Sequence, residues 1–145
     1  MASLATVVLS ANLIFAMACS CMRVSDEELF AQASSVFIAH IVRSEEAMSL
    51  SPHSPDKPET IIEASFTIVE ILKGQPPAGG KVKSETWGWS CAMTLYPAVD
   101  YLIFLHGNDF IHACGGSRPI ILHGADEVTT KTRKLLEGLR ALQTK

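Results

Sequence analysis

The residues with the most unusual chemistry are Cys19 and Cys21, which flank Ser20 and come after an apolar run from Ala5 to Ala18. Cleavage after Ala18 would make Cys19 the first residue of a mature chain, with a thiol and a free α-amino group on one residue. Two thiols at this spacing can form disulfides or bind a metal, and a terminal cysteine can carry a lipid. The remaining sequence is expected to form the scaffold that holds this terminus.

The first 18 residues have the pattern of a secretory signal peptide. An apolar region spans Val7 to Ala16, and the small residues Ala16 and Ala18 precede the predicted cut, although no Lys or Arg precedes the apolar region. We therefore expect a secreted protein, extracellular or periplasmic. Two alternatives remain open: a buried N-terminal helix, and a lipoprotein anchor on Cys19, for which Ala16 stands where Leu is usual.

Length and composition limit the size and partners of the predicted mature chain. Residues 19–145 suffice for one domain with a single core. A net charge of −3 gives no general attraction to nucleic acid or to anionic membranes. No window after the first segment reaches the roughly 20 apolar residues that a membrane span requires. We expect a monomer that neither binds nucleic acid nor spans a membrane.

The predicted mature chain contains four cysteines, Cys19, Cys21, Cys91 and Cys114. An even number in a small secreted protein favours two disulfides, and four cysteines allow three pairings. A bond between Cys19 and Cys21 is the least favoured because it would close across a single residue. The two other schemes, which the residues alone do not separate, both tie the N-terminus to distant points. Each long crosslink is worth on the order of 4 kcal/mol in the chain-entropy model.

Local patterns predict a mainly β chain with a helix at each end. A capping box, Ser25 with Glu28, predicts a short helix over Asp26–Ala33 with Leu29 on its inner face. Apolar stripes and β-branched residues predict five strands. They span Ser35–Arg43, Thr60–Lys73, Lys81–Trp87, Asp100–Leu105 and Phe110–Cys114, the last pairing back through a turn at His106–Asp109.

The remaining segments are predicted to be loops and a closing helix. Three prolines favour a mobile exposed loop over Ser44–Glu59. His40 is expected to be structural, and Trp87–Cys91 is either a packing corner or a recognition loop. Several short strands with few helices predict an all-β barrel or sandwich. A helix over Asp126–Leu142 is predicted to pack one apolar stripe against the strands and to expose its basic face. That stripe contains Val128, Thr132, Leu135, Leu136, Leu139 and Leu142, and the basic face contains Lys131, Arg133, Lys134 and Arg140.

These features together resemble the inhibitory domain of the tissue inhibitors of metalloproteinases. A signal peptide ends directly before Cys-x-Cys, a long strand ends in Leu72-Lys73-Gly74, and a third and a fourth cysteine flank a Tyr-Leu-Ile strand. The resemblance covers essentially residues 19–145. It implies the netrin-like fold, a five-stranded OB-fold-like barrel, here with a short N-terminal helix and a C-terminal amphipathic helix.

The resemblance also implies a disulfide pairing and a site. Cys19 would be bonded to Cys91, and Cys21 to Cys114. The α-amino and carbonyl groups of Cys19 would chelate the catalytic zinc of a target metalloproteinase and displace its water. The protein would have no catalytic residues and no cofactor of its own. Its partner would be a zinc metalloproteinase, whose zinc it contacts only in the complex.

The implied protease-binding ridge has two parts. Ser20 would point toward the primary specificity pocket of the protease, Met22 and Arg23 would extend along its cleft, and the corner with Trp89, Ser90 and Cys91 would lie beside them. The animal inhibitors carry a third disulfide in this domain and a second, disulfide-rich domain, for which these four cysteines give no counterpart. These departures favour a simpler, bacterial relative over an inhibitor of animal matrix metalloproteinases.

Three other functions compete with inhibition. A netrin-like module that binds a protein without inhibiting it is the main alternative. A metal or redox protein would use Cys19 and Cys21 as thiolates with a histidine, but His106 and His112 match no zinc spacing and the sequence has no Cys-x-x-Cys. A hydrolase is disfavoured because no Gly-x-Ser-x-Gly motif is present. We therefore do not expect an enzyme.

Overall fold

A computed structural model describes residues 20–86 and 91–143 and arranges them as one five-stranded antiparallel sheet flanked by two helices. The strands have the order β3-β2-β1-β4-β5 in the sheet. This confirms the mainly β, barrel-like fold expected from the sequence. In chain order the elements are α1 (Asp26–Gln32), β1 (Ser35–Ser51), β2 (Ser54–Lys73), β3 (Lys81–Glu85), β4 (Asp100–Leu105), β5 (Arg118–Ile120) and α2 (Glu127–Leu142).

Helix α1 begins at the predicted capping box. The Ser25 hydroxyl accepts from the Glu28 amide at 3.2 Å, and the Glu28 carboxylate accepts from the Ser25 amide at 3.1 Å. At the other end, the Lys73 ammonium donates to the carbonyl oxygens of Phe30 and Ala31, which have no partner within so short a helix. A local capping box therefore fixes the start of α1, and a distant lysine on β2 stabilises its end.

Strands β1 and β2 form a long hairpin, and the predicted loop over Ser44–Glu59 is wrong. Pairing continues from Val36 opposite Lys73 to Ser51 opposite Ser54. The tip of the hairpin is only Pro52-His53. Residues Ser44–Glu59 have the composition of a loop. Their backbone groups nevertheless continue the hydrogen bonding between β1 and β2, and this pairing overrides the low β-propensity of the residues.

Two of the prolines that suggested a loop lie in a bulge of this hairpin. Near the tip of the hairpin, Ser49 pairs with Glu59 and the next pair is Ser51 with Ser54, with a shift of register between the two pairs. The four residues from Pro55 to Pro58 therefore face the single residue Leu50. Proline has no amide hydrogen to give to a ladder, so a bulge is where a strand tolerates it.

Strands β1 and β4 are apolar on both faces because each face covers a different core. Alternate residues point to opposite sides of a strand. Phe37 and Ile103 lie in a cluster inside the sheet, whereas their neighbours Ile38 and Leu102 lie in a cluster under the helices. Leu136, on α2, completes the second cluster. The central strands thus join two cores.

The fifth strand is Arg118–Ile120, and the predicted strand over Phe110–Cys114 is wrong. Arg118–Ile120 pairs with the outer edge of β4. Residues after β4 instead cross to β3, where the Lys83 amide donates to the Asp109 carbonyl and the Ile111 amide donates to the Lys83 carbonyl, both at 2.8 Å. The Lys83 ammonium also lies 2.9 Å from the Asp109 carboxylate. These contacts, absent from any short-range pattern, link β3 to the far side of the sheet.

Helix α2 packs on the barrel largely as predicted. Its N-cap is Asp126, whose carboxylate accepts from the Thr129 amide, and Leu136 and Leu139 are buried. Val128, assigned to the packing stripe, is instead exposed because Thr129 takes the inward position. Arg140 is exposed, as expected, and also forms two hydrogen bonds with Glu70 of β2.

Neither helix in the described part of the chain has the length and apolar character of a membrane span.

Candidate functional site

The structure describes part of the predicted site. Cys19, Trp89 and Ser90 lie outside the described residues, as does the predicted signal peptide over residues 1–18. The described members are Ser20, Cys21, Met22, Arg23, Cys91 and Cys114. Three parts of the fold position these six residues: the N-terminal segment, the loop at Cys91 and the turn at Cys114.

The segment over residues 20–25 leads into α1 without regular secondary structure and is largely exposed. It is fastened at both ends. Cys21 is bonded to Cys114, with 5.2 Å between their Cα atoms, and Asp26 at the start of α1 lies 2.5 Å from the Arg118 guanidinium of β5. Between these two points the side chain of Met22 is 86% exposed. Ser20, Met22 and Arg23 are therefore accessible to a partner protein.

Cys91 lies in a constrained backbone conformation. Its φ angle of 51° falls in the left-handed region, which non-glycine residues rarely occupy. Its carbonyl oxygen accepts from the Ala113 amide at 3.0 Å, and two residues later the Met93 amide donates to the buried Ser84 hydroxyl at 2.9 Å. Such a conformation persists only where surrounding contacts impose it. The contacts to Ala113 and Ser84 supply that constraint.

The chain after Cys91 is anchored to the barrel interior by Tyr101 of β4. The buried Tyr101 hydroxyl donates to the Thr94 carbonyl at 3.0 Å and accepts from the Tyr96 amide at 3.1 Å. Between these two residues, Leu95 is buried in the inner core. Core packing thus determines where the loop that contains Cys91 leaves the barrel.

Three sulfur atoms meet where these segments converge. The Sγ atoms of Cys21, Cys91 and Cys114 all lie within 4.8 Å of one another, and those of Cys91 and Cys114 are 3.6 Å apart. The Cys21–Cys114 disulfide confirms that part of the predicted pairing. The predicted bond between Cys19 and Cys91 remains a prediction because Cys19 lies outside the described residues.

This group of sulfurs has the dimensions of a metal site but lacks its chemistry. Cysteine binds metals as a thiolate, and none of the described cysteines is a free thiol. Cys21 and Cys114 are bonded to each other. The alternative in which Cys21 acts as a thiolate ligand therefore does not fit the described residues. We refer to Cys21, Cys91 and Cys114 together as the sulfur cluster.

Two surface depressions adjoin the sulfur cluster, and Cys114 lines both. One, of about 440 Å³, is lined by the N-terminal segment from Cys21 to Val24 and by residues around Gly116 and Arg118. The other, of about 410 Å³, is lined by Cys91 and Phe110 together with polar side chains. The cluster therefore separates two distinct surfaces.

Comparison with known proteins gives no family for this chain. Neither a scan of protein-family models nor a search of curated proteins finds a match. The chemistry and geometry of the site are therefore the basis on which a function can be assigned.

The second depression holds a group of residues that the sequence did not predict as a unit. His53, Glu85, His106 and His112 all line it. His53 and His106 are 53 positions apart in the sequence, and no local motif connects them. They lie together because the hairpin tip, the end of β3 and the segment after β4 meet in the folded chain. We refer to these four residues as the histidine pocket.

His40, in contrast, has a local structural partner. Its Nδ1 atom lies 2.7 Å from the Asp100 carboxylate, directly opposite it in the β1–β4 pairing. The contact joins β1 to β4.

Proposed function

We propose that this protein is a secreted inhibitor of zinc metalloproteinases that acts through the α-amino and carbonyl groups of a mature N-terminal Cys19. The observation that carries the proposal is the sulfur cluster, in which Cys21, Cys91 and Cys114 meet within 4.8 Å. It fastens the residue two positions after the proposed terminus to the folded barrel. A group held in this way can enter a protease cleft without first being ordered.

The proposed chemistry is simple ligand exchange. A catalytic zinc ion keeps one coordination position for water, which it activates for hydrolysis. An α-amine has a pKa near ~7.7, so its neutral form is available at physiological pH. The amine and carbonyl oxygen of Cys19 would occupy the zinc and displace the water. Without that water, the protease has no nucleophile.

Preorganisation is the benefit that disulfides would bring to this function. Ordering a flexible segment costs about 0.5–1.5 kcal/mol for each immobilised side chain, and this cost is subtracted from the binding free energy. The Cys21–Cys114 bond fixes the segment before binding. A second bond, between Cys19 and Cys91, would fix the chelating residue itself. The position of Cys91, 3.6 Å from Cys114, supports this arrangement.

The proposed ridge combines the N-terminal segment with the loop at Cys91. Ser20, small and exposed, would face the primary specificity pocket of the protease, and the exposed side chains of Met22 and Arg23 would extend along the cleft. Trp89 and Ser90 would contribute the second half of the ridge. The 3.6 Å between the Sγ atoms of Cys91 and Cys114 supports this arrangement, since Cys114 is bonded to Cys21 of the segment.

A one-residue extension tests the mechanism directly. The exported protein is first characterised by N-terminal sequencing and intact mass, which should show Cys19 as the first residue and no lipid. It is then assayed against a panel of zinc proteases. Addition of one Ala before Cys19 should abolish inhibition because it moves the free amine off Cys19. The matched control carries the same Ala after Lys145 and should inhibit like the parent. Inhibition that survives the N-terminal extension would contradict chelation by Cys19.

A side-chain variant tests the ridge independently. Met22→Ala should weaken inhibition by about tenfold, the effect expected for an apolar contact residue of about 1–2 kcal/mol. Met48→Ala is the matched control, since Met48 is also exposed but lies on β1, outside the proposed ridge. Equal inhibition by both variants would remove Met22 from the ridge.

The same experiments separate inhibition from the main alternative, a netrin-like module that binds a protein without inhibiting it. A chain with a free Cys19 amine and intact disulfides that inhibits no zinc protease would favour that alternative. A lipid on Cys19 would also exclude chelation, because acylation removes the amine.

A further inference from the structure

The histidine pocket collects side chains from three separate parts of the fold. His53 is at the tip of the β1–β2 hairpin, His106 comes directly after β4, and His112 precedes the short turn over Ala113–Gly115. Glu85 ends β3 and completes the group. All four line one open cavity of about 410 Å³ beside the sulfur cluster. Three imidazoles and a carboxylate are a common ligand set of zinc and copper sites.

The hairpin tip is attached to this cavity through Glu85. The His53 amide donates to one Glu85 oxygen at 3.3 Å, and His53 Nε2 lies 3.6 Å from the other oxygen. The Glu85 side chain is only 10% exposed, so its charge is poorly hydrated. A buried carboxylate of this kind is stabilised by an adjacent positive charge. A cation in the cavity would provide it.

His106 is held in the tautomer that a metal requires. Its Nε2 atom lies 2.8 Å from the Gly115 carbonyl oxygen. A carbonyl only accepts, so Nε2 must carry the proton, and Nδ1 keeps its lone pair in the neutral ring. Metal-binding histidines usually donate their other ring N–H to a carbonyl or a carboxylate in this way.

His112 lies beside His106 in the pocket. The centres of the His106 and His112 rings are 6.5 Å apart. The absence of a side chain at Gly115 makes room for both, because a Cβ there would lie 3.2 Å from His112 Cε1 and 3.5 Å from His106 Cδ2. The backbone at Gly115 therefore allows two imidazoles to lie next to each other, as a shared metal ion would require.

We propose that the histidine pocket binds one divalent transition-metal ion, with zinc the best match, through His106 and His112 and with His53 and Glu85 as further ligands. Within the described chain, only the sulfur cluster places three potential ligand atoms within 4.8 Å of one another. His53 and His112 must consequently rotate toward His106, whose ring is held by the Gly115 carbonyl. They have room to do so because both residues are exposed to solvent.

This site is separate from the proposed inhibitory chemistry. It belongs to this protein rather than to a target protease, and none of its four ligands is part of the protease-binding ridge. Among the described residues, Cys91 is the one member of the ridge that also lines the cavity. Metal binding and inhibition can therefore be tested independently.

The test is a calorimetric titration of the full oxidised chain with zinc chloride at pH 7. One zinc ion per chain is expected. His106→Ala and His112→Ala should each weaken zinc affinity by about tenfold or more, since even loss of a ligand's supporting contact has effects of about that size. His123→Ala is the matched control, because His123 lies outside the pocket. Unchanged affinity in the His106→Ala/His112→Ala double variant would overturn the proposal, as would an equal loss in His123→Ala.

Two further measurements distinguish the histidine pocket from other zinc-binding groups of the chain. The chain extended by Ala before Cys19 should bind zinc as the parent does; loss of binding there would assign the metal to the N-terminal amine instead. NMR of the imidazole nitrogens in the parent protein should show zinc-dependent shifts at His106 and His112 and none at His40. This readout does not depend on the folding of any variant, and shifts confined to other histidines would contradict the site.

Discussion

The sulfur atoms of Cys91 and Cys114 lie 3.6 Å apart although 23 positions separate the two residues in the sequence. Because Cys114 is also bonded to Cys21, the N-terminal segment, the loop at Cys91 and the turn after Ile111 share one point of attachment. A displacement of any one of them is transmitted to the others. Substitutions at the contacts that fix this point, and at contacts elsewhere in the fold, should have measurable effects.

Loss of the described disulfide should be costly. A bond that closes a loop of 93 residues contributes about 4 kcal/mol in the chain-entropy model. The double variant Cys21→Ser/Cys114→Ser should lower the free energy of unfolding by about this amount, as measured by urea denaturation. The double variant leaves no unpaired thiol from this bond. A change below about 1 kcal/mol would show that the bond adds little to the stability of the barrel, contrary to the chain-entropy model.

The Tyr101 hydroxyl should contribute more to the free energy of unfolding than the Tyr96 hydroxyl does. Tyr101→Phe removes the two hydrogen bonds that hold Thr94 and Tyr96, and we expect a loss of about 1–2 kcal/mol in the free energy of unfolding. Tyr96→Phe is the matched control, since its side chain is 60% exposed and should change stability by under about 0.5 kcal/mol. Thermal unfolding of both variants measures the difference. Similar values would mean that the hydroxyl does not anchor the loop.

Two substitutions at Ser25, in the capping box of α1, should destabilise the protein to different extents. Ser25→Ala should cost about 1 kcal/mol, because the Glu28 amide loses its acceptor at the start of the helix. Ser25→Gly should cost only a few tenths of a kcal/mol, because glycine is itself a tolerated N-cap residue. Chemical denaturation of the two variants side by side tests this order. The reverse order would contradict a capping role for Ser25.

The contact between Glu70 and Arg140 should make stability depend on pH. Hydrogen bonds from Arg140 lower the pKa of Glu70 below its usual 4.5. A lowered carboxyl pKa in the folded state adds stability above the unfolded pKa, and this is lost as the pH falls through the folded value. Glu70→Gln should therefore reduce stability at pH 7, by under about 1 kcal/mol for a partly exposed pair. It should have no effect once the carboxyl is protonated in acid.

Denaturation of Glu70→Gln and the parent at neutral and acidic pH measures this pH dependence. The control is Glu45→Gln, which removes an exposed contact with Arg43 on the same strand and should change stability at pH 7 by less than about 0.5 kcal/mol. A difference between Glu70→Gln and the parent that persists in strong acid would assign the effect to packing rather than charge.

The elements that could be predicted from the sequence are those whose cause is local. The capping box at Ser25 and Glu28 correctly set the start of α1, and the buried run Asp100–Leu105 correctly gave β4. The Cys21–Cys114 bond was implied by the family resemblance. The first two depend on neighbouring residues, whereas the residues alone left the pairing of Cys21 open and only the resemblance implied it.

Features that arise from distant contacts could not be predicted. Pro55 and Pro58 marked Ser44–Glu59 as a loop, but pairing with the rest of the hairpin placed them in a bulge. The segment at Phe110 had the pattern of a strand, yet it crosses to Lys83 instead of pairing with β4. The histidine pocket combines positions from three parts of the fold, so its members have no sequence spacing in common.

The separation of Cys21 from Cys114 also sets an order of events during synthesis. Cys21 leaves the ribosome among the first residues of the domain, while its partner emerges only after both long strands and β4 have been made. In an oxidising compartment the Cys21–Cys114 disulfide can therefore form only late, after most of the barrel is available to guide the pairing. A translation product that ends before Cys114 would lack this disulfide. Any activity of the N-terminus should consequently appear only in chains synthesised past Cys114.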